Sequence, residues 1–189
     1  MLFRSVEQLK INADSIEIIK PKVDLEIKEF FQKTKESFST FFYPASGVVF
    51  KNHKVIVDAC LKLKEDGINE YTVIFTLNGD ENKQIKELFN IVKEKKLPIK
   101  FVGILKREEL FSLYSKSILI FPSFIETVGL PLIEAMYHNT PILSSNCEYI
   151  FEILNNYNEA VMFECFNHIQ LSDLLKEKLN LAKLFSYDN

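Results

Sequence analysis

The chain has 189 residues, of which 47% are hydrophobic and 26% are charged, and this balance is typical of a folded globular protein. Its 23 basic and 26 acidic residues give a net charge of −3 without a concentrated basic face, which argues against a nucleic-acid partner. Cys60, Cys147 and Cys165 are widely spaced, which favours reduced thiols over disulfides or a zinc site. No segment approaches the roughly 20 apolar residues of a membrane span, so the sequence predicts a soluble, cytoplasmic protein that can still work at the inner face of a membrane.

The chain changes character near residue 39. Residues 1–38 are charged and mixed, and we interpret them as a connector that carries a partial helix. From residue 39 to residue 189, six short apolar runs alternate with segments of helical periodicity, and these runs are TFFYPA, YTVIFTL, IKFVG, SILIFPS, TPILSS and EAVMFE. This alternation predicts an α/β domain with a Rossmann-like, doubly wound parallel sheet of about six strands. In such a sheet, ligands bind at the carboxyl ends of the strands.

The run FPSFIETVGLPLIEAMYHNTPILSS, residues 121–145, contains a strand, a loop and a helix start. Pro131 suits the first helical turn and Gly129 allows close approach to the backbone, so the free amides there form a site suited to phosphate. Glu126 lies before the helix, and Glu134 lies one turn inside it, where it faces either the same crevice or solvent. Carboxylates beside a phosphate suit sugar hydroxyls, which donate hydrogen bonds to them. A ligand with phosphate in the middle and a sugar at each end is a nucleotide-sugar.

This run resembles the signature of retaining glycosyltransferases of family 4, in which seven residues separate two glutamates and the fold (GT-B) has two Rossmann domains. The blocks FFYPASGVVFKNHKVIVDACLKL, FVGILKREELFSLYSKS and NCEYIFEILNNYNEAVMFE are similar to blocks of that family in the same order, so the resemblance covers about residues 40–180. It implies the donor-binding C-terminal half of such an enzyme. The implied reaction moves a sugar, with retention, from a nucleotide-diphosphate sugar to a glycan or lipid-linked acceptor during surface polysaccharide or lipopolysaccharide assembly.

The resemblance also implies a role for each matching residue. Glu126 holds hydroxyls of the transferred sugar at the catalytic centre, Glu134 binds the ribose, and Lys51 binds the diphosphate. The backbone that faces the diphosphate and sugar is that of Thr127, Val128, Gly129 and Leu130, and the loop that borders the base is Gly103, Ile104, Leu105 and Lys106. The family generally needs no metal or other cofactor, which agrees with the absence of a DxD motif from the sequence.

The chain departs from the family pattern in two ways. Pro44, Ala45 and Ser46 stand where a Gly-Arg pair often precedes the lysine, so one contact to the diphosphate is missing. The family also places an acceptor-binding domain ahead of this one, and 38 residues leave no room for it. We therefore expect the acceptor to bind through a missing N-terminal domain or a partner chain, and the full enzyme could associate peripherally with a membrane. The chain would then be a fragment, a truncated gene product or one subunit of a split enzyme.

Two other interpretations stay open. One is a non-catalytic or degenerate nucleotide-sugar-binding module. A more distant one is another type of Rossmann protein, although no GxGxxG follows the first strand to support nicotinamide binding. Away from the signature, we expect His53 and His138 to face solvent on helices, and Asn139 to end its helix in a left-handed conformation.

Overall fold

The computed structural model describes residues 29–185. The strands in this part of the chain are β1 (Thr40–Tyr43), β2 (Thr72–Phe75), β3 (Ile99–Phe101), β4 (Ile118–Phe121), β5 (Ile142–Ser145) and β6 (Ala160–Phe163). The α-helices are α1 (Lys35–Ser39), α2 (His53–Glu65), α3 (Lys83–Glu94), α4 (Arg107–Lys116), α5 (Leu130–Tyr137), α6 (Glu148–Ile153) and α7 (His168–Leu184). A 3₁₀ helix, Val49–Lys51, precedes α2. The six strands pair in parallel in the order β3-β2-β1-β4-β5-β6, which confirms the predicted fold class.

The central strands are buried on both faces because other parts of the chain cover both faces. All four residues of β4 and all four of β5 are buried. Phe41, Phe42 and Tyr43 of β1 are fully buried as well, and Phe75 and Phe121 extend the same core. A parallel sheet whose crossovers place helices on both sides needs such continuous apolar strands. Burial of these large aromatic side chains contributes to the apolar area that stabilises the domain.

Local sequence signals mark several helix ends. The side chain of Asn82 accepts a hydrogen bond from the N–H of Ile85 at 3.0 Å and so caps the start of α3. Asn167 does the same for α7 through the N–H of Gln170, also at 3.0 Å. After α5, Asn139 has a φ of 56°, which confirms the expected left-handed residue at that position.

The strand order reverses between β1 and β4. These strands are neighbours, with Phe41 opposite Ile118 and Phe42 opposite Leu119. The chain leaves β1 toward β2 on one side and leaves β4 toward β5 on the other, so the loops that follow the two strands diverge. In open α/β sheets this divergence creates the crevice where ligands bind. A ligand site is therefore expected at the loops after β1 and β4.

The described end of the predicted connector is attached to the domain. The N–H of Phe31 donates to the carbonyl of His138 at 2.7 Å, and the N–H of Gln32 donates to the carbonyl of Ser115 at 2.9 Å. The ring of Phe38 stacks on that of Phe185, with centroids 5.4 Å apart. These contacts join residues 31–38 to the ends of α4, α5 and α7. The rest of the connector, residues 1–28, lies outside the described residues, and the domain boundary at residue 38 stays a prediction.

The expectation that both histidines face solvent is wrong. His53 is 2% exposed and His138 is 1% exposed. The ring of His53 packs between Tyr43 and Phe75, with centroid distances of 4.8 and 5.1 Å, and burial lowers its pKa to about 3. The ring of His138 stacks on that of Tyr114 at 5.5 Å. Both imidazoles therefore pack among aromatic rings of the core, and Nδ1 of His138 also lies 2.7 Å from the carbonyl oxygen of Glu29.

All three cysteines are free thiols, as their wide spacing predicted. Cys60 is fully buried, and burial raises its pKa to about 12. A thiol with so high a pKa stays protonated at neutral pH and therefore packs as a small apolar side chain.

Candidate active site

Two of the predicted site residues, on the loops after β1 and β4, form an ion pair. Lys51 is the last residue of the 3₁₀ helix, and its ammonium group contacts Oε1 of Glu126. The side chains are 15% and 11% exposed, so the pair is largely shielded from water. Its charges therefore attract each other more strongly than those of an exposed pair. The fold thus brings together the cation expected for a diphosphate and the carboxylate expected for a sugar.

Hydrogen bonds hold the two loops against each other. The N–H of Phe124 donates to the carbonyl of Phe50 at 3.0 Å, next to Lys51. Asn52 has a φ of 54°, and its side-chain amide donates to the carbonyl of Cys165 at 2.7 Å. Asn52 therefore ties the start of α2 to the loop after β6. Three loops at the carboxyl edge of the sheet are joined beneath the ion pair, which restricts where its two charges can move.

Neutral hydroxyl groups lie beneath the pair. The carbonyl of Ser123 accepts hydrogen bonds from the hydroxyls of Ser145 and Tyr149, both at 2.7 Å. Tyr43, at the end of β1, is fully buried, and its hydroxyl makes no hydrogen bond to the part of the chain that the structure describes. Burial, and then the charge of Glu126, raise the pKa of Tyr43, so this phenol stays neutral. The hydroxyls near Glu126 therefore add no charge to its surroundings.

The turn before α5 lies directly after Glu126 in the chain. Gly129 has a φ of 69°, and a Cβ atom at this position would lie 2.8 Å from Cδ1 of Ile153. Only glycine avoids both the left-handed strain and this clash. Among the hydrogen bonds of residues 29–185, none uses the N–H groups of Thr127, Val128, Gly129 or Leu130. These N–H groups at the start of α5, with Pro131 following in the first turn, can serve an anion.

Glu134 turns toward α4, whereas its sequence position left open whether it faces the crevice or solvent. Its Oε2 accepts a hydrogen bond from the hydroxyl of Tyr114 at 2.8 Å. Burial raises the pKa of Glu134, and the hydrogen bond from Tyr114 and the charges of Arg107 and His138 oppose that rise. This carboxylate is therefore half-buried, with one of its oxygens fixed by a neutral donor.

The loop after β3 lies at the Glu134 end of the site. Gly103 has a φ of 73°, and a Cβ atom there would lie 2.7 Å from Oδ1 of Asn78. Ile104 is 92% exposed, Leu105 is half-buried, and the N–H of Lys106 donates to Glu109 at 2.8 Å. The hydrogen bonds and ion pairs described for residues 29–185 do not join this loop to the Lys51–Glu126 pair. The next residue along the chain, Arg107, acts on the charge of Glu134.

Sequence reasoning missed several residues that shape this site. Asn52 follows Lys51 directly, and an asparagine before a helix is a signal for a left-handed residue or a cap. Tyr114 looks like one more core aromatic in its helix, so its hydroxyl contact could not be recognised. Arg107 is one of two arginines in the chain and starts α4, and no sequence pattern distinguishes it there. Only Asn52 carried a usable signal.

Residues 29–185 contain no cluster of three or more His, Cys, Asp or Glu side chains arranged to hold a metal ion. In the same part of the chain, no helix combines the length and the apolar character needed to cross a membrane.

Known structures share this fold. TarM gives a TM-score of 0.65 at 19% identity, covering 85% of this chain and 32% of TarM. A single-residue variant of S. aureus TarM, crystallised with fondaparinux, alpha-GlcNAc-glycerol and UDP, gives 0.68 at 16% identity, covering 98% of this chain and 37% of the variant. A glycosyltransferase from Rickettsia africae ESF-5 gives 0.61 at 18% identity, covering 97% and 44% of the two chains. At these identities the likeness shows the fold, which is that of a Rossmann-like half of a GT-B protein.

The sequence is 28% identical over 188 residues to the O-antigen chain mannosyltransferase RfbU of Salmonella typhimurium strain LT2. That alignment covers 95% of this chain and 51% of RfbU, so the chain spans about half the length of this curated relative. The family described as glycosyl transferases group 1 matches residues 25–185, which include all six strands of the described residues and every candidate site residue. The chain therefore belongs to the glycosyl transferases group 1 family.

Proposed function

We propose that this domain binds the nucleotide-diphosphate sugar donor of a retaining glycosyltransferase. The observation that carries the proposal is the Lys51–Glu126 pair between the loops after β1 and β4, next to the unused amides at the start of α5. A cation and helix amides suit a diphosphate, and a carboxylate suits the hydroxyls of the attached sugar. Transfer to a glycan or lipid-linked acceptor in surface polysaccharide assembly is supported by the family and by the similarity to an O-antigen mannosyltransferase.

In this proposal the diphosphate lies between the two carboxylates. Lys51 and the N–H groups of residues 127–130 bind its oxygens, which gain negative charge as the bond to the sugar breaks. Donors that are already oriented stabilise this charge without reorganisation, which is a large source of rate enhancement. Glu126 then accepts hydrogen bonds from the sugar hydroxyls and holds the anomeric carbon in place for the acceptor.

The ion pair implies an exchange of partners when the donor binds. Before binding, the charge of Lys51 is balanced by Glu126. A diphosphate carries more negative charge than one carboxylate and attracts the ammonium group more strongly. Once Lys51 pairs with the diphosphate, the oxygens of Glu126 become available to the sugar. The same binding event therefore neutralises the phosphates and prepares the carboxylate that orients the sugar.

In this proposal the acceptor binds to another domain or to a partner chain. Val49, Ile104, Ile125 and Leu130 are 63%, 92%, 48% and 44% exposed, and all four lie on loops or helix starts at the carboxyl edge of the sheet. Exposed apolar side chains around a polar crevice support a second surface that closes over it. A cytoplasmic position at the inner face of the membrane, with peripheral association, would suit a lipid-linked acceptor.

A second candidate function is binding of a nucleotide-sugar without transfer. The sequence observation that favours it is Pro44, Ala45 and Ser46 at the positions where related enzymes often have a Gly-Arg pair. The loop after β1 would then offer Lys51 without that second cation to the diphosphate. In this case the chain would bind a donor as a regulatory or degenerate subunit. Both candidates predict nucleotide binding, and only the first predicts turnover when an acceptor domain is supplied.

Isothermal titration of the purified chain with UDP, GDP, a UDP-sugar and a GDP-sugar tests the shared prediction. We expect at least one of them to bind, and Lys51→Met to weaken that binding about 10-fold or more because it removes a charged phosphate ligand. Lys54→Met is the matched control, since Lys54 lies three residues further on, is 61% exposed and pairs with Asp58. Absence of heat with all four ligands, or equal losses in the two variants, would contradict the proposed site.

A further inference from the structure

Tyr114 connects the core of the domain to Glu134. Its hydroxyl donates to Oε2 of Glu134 at 2.8 Å, although the tyrosine itself is fully buried. Tyr114 lies near the C-terminal end of α4, and helical side chains lean toward the N-terminus of their helix. Its ring therefore extends back along α4 toward the carboxyl edge of the sheet. The contact joins a rigid core aromatic to a carboxylate in the candidate site.

Ring contacts fix the direction of this hydroxyl. The ring of Tyr114 meets the ring of Phe42 edge-on, with centroids 4.9 Å apart and an interplanar angle of 81°. On another side it stacks on His138 at 5.5 Å and 12°. A buried ring held by two others cannot rotate to a different rotamer without opening the core. Its oxygen can therefore be treated as a fixed point from which Glu134 is oriented.

The contact leaves one carboxylate oxygen committed and the other available. Oε2 receives the Tyr114 hydrogen bond, so Oε1 remains to accept hydrogen bonds from a ligand. A neutral donor also favours the ionised form of a half-buried carboxylate, and here it opposes the rise in the pKa of Glu134 that burial causes. The other groups with an electrostatic effect on this carboxylate are Arg107 at the start of α4 and His138 after α5, and both favour its ionised form.

We propose that Tyr114 is a positioning residue that makes the Glu134 end of the site selective for ribose, an inference that rests on the proposed donor-binding function. Tyr114 does not touch the ligand. It orients Glu134 and keeps it ionised, so that one carboxylate oxygen accepts hydrogen bonds from the 2′- and 3′-hydroxyls of a nucleoside diphosphate. A site built to pair with hydroxyls rejects an analogue without them, because the carboxylate then stays half-buried without a partner.

The test compares UDP and GDP with their 2′,3′-dideoxy forms, titrated into the wild-type chain and into Tyr114→Phe. We expect the wild type to bind the ribose form at least about 10-fold more tightly than the dideoxy form. In Tyr114→Phe we expect affinity for the ribose form to fall about 5–10-fold and affinity for the dideoxy form to stay unchanged, because only the ribose contact needs an oriented carboxylate. The ratio of the two affinities therefore collapses in the variant.

The pH dependence of this ratio separates positioning from a merely structural role. Protonation of Glu134 removes its charge and weakens the hydrogen bonds that it accepts, so the wild-type ratio falls as pH falls. Without the Tyr114 hydroxyl the pKa of Glu134 rises further, so any residual ribose preference in Tyr114→Phe disappears at a higher pH than the wild-type preference does. Because both ligands carry the same diphosphate, titration of the phosphates cancels in the ratio. A loss caused by general damage to the fold would lower both affinities and leave the ratio and its pH profile unchanged.

Tyr157→Phe is the matched control, since its hydroxyl donates to the carbonyl of Thr140 at 2.7 Å and does not reach Glu134. It should leave the ratio unchanged, and a collapse there would overturn the specific role of Tyr114. Glu134→Ala, which removes the acceptor altogether, provides a second measurement if Tyr114→Phe does not fold, and it should also abolish ribose preference. Wild-type binding without ribose preference, or a preference that survives in Tyr114→Phe or Glu134→Ala, overturns the inference alone. No binding of either nucleotide by the wild type overturns the proposed function instead.

Discussion

The two carboxylates of the candidate site are held in different ways. Glu126 lies in the loop after β4 and pairs with the cation Lys51, which comes from the loop after β1. Glu134 lies in helix α5 and accepts a hydrogen bond from the neutral hydroxyl of Tyr114. The first contact can be exchanged, because a ligand with more negative charge can take over the lysine. The second contact is fixed by a buried ring, and binding of a ligand does not require it to break.

This difference matches the two tasks that the proposed function assigns to the residues. The transferred sugar has to be bound, stabilised in the transition state and released. An acid that is freed only when the diphosphate arrives suits that end of the ligand. The nucleoside has to be recognised in the same way before and after transfer, and a pre-oriented acid suits that end. Glu126 should therefore affect the rate of transfer, whereas Glu134 should affect binding of the nucleotide.

The largest expected effect tests this division directly. In a protein in which an acceptor-binding domain is supplied, Glu126→Ala should lower kcat on the order of 100-fold, because the sugar loses the group that orients it during bond breaking. Glu134→Ala should mainly raise the KM for the donor, since ribose binding is equal in the ground state and the transition state. Steady-state kinetics with varied donor concentration separate the two outcomes. Unchanged turnover in Glu126→Ala would contradict its assignment.

A smaller effect tests the exchange of partners at Lys51. In the chain alone, Glu126→Gln should tighten binding of a nucleoside diphosphate without sugar about 3–10-fold, because Lys51 no longer has to leave a carboxylate partner. In a Lys51→Met background, Glu126→Gln should give little of this increase in affinity. Calorimetric titration of the four proteins gives the coupling between the two residues. An equal gain in both backgrounds would mean that Glu126 only repels the phosphates and does not compete for Lys51.

The local structure was largely predictable because patterns within short segments of the sequence determine it. Alternating apolar runs and amphipathic segments predicted every strand and α-helix of residues 40–185, with errors of a few residues at the ends, but they did not predict the 3₁₀ helix Val49–Lys51. The run SILIFPS, for example, is a strand only over Ile118–Phe121. The segment of helical periodicity that follows TPILSS, EYIFEILNN, forms a helix only over Glu148–Ile153, and Asn156 follows with a φ of 66°. Element ends depend on caps and turns, which single sequences define poorly.

The contacts that define the site were not predictable in the same way. Lys51 and Glu126 are 75 positions apart and meet only because β1 and β4 are neighbours in the sheet. Tyr114 and Glu134 meet across α4 and α5, and nothing local distinguishes that tyrosine from any other core aromatic. A family resemblance could assign a role to each acid. It could not show that one acid is paired with a cation and the other with a neutral hydroxyl, because that depends on tertiary packing.

The smallest expected effect is a change of stability with pH, to which His53 and Glu134 contribute with opposite signs. His53 starts α2 two residues after Lys51, and burial lowers its pKa to about 3, compared with about 6.5 in an unfolded chain. Between these two values the unfolded state binds more protons than the folded state, so this histidine makes the protein less stable as pH falls. The loss from pH 7 to pH 6 should be about 0.7 kcal/mol. The contribution of Glu134 to the pH dependence of stability has the opposite sign, because burial raises its pKa and a falling pH relieves the cost of burying its charge.

The variant His53→Phe should remove this loss, because a phenyl ring can pack against Tyr43 and Phe75 and takes up no proton. Denaturant unfolding of both proteins at pH 7 and pH 6 gives the change in the free energy of unfolding for each. A difference in packing affects the variant equally at both pH values and cancels in that change, so the wild type should lose about 0.7 kcal/mol more than the variant. Glu134→Gln, measured in the same way, should shift the pH dependence in the other direction. Equal losses in wild type and His53→Phe would mean that His53 can take up a proton within the folded protein, and the contrast between the two ends would then fail.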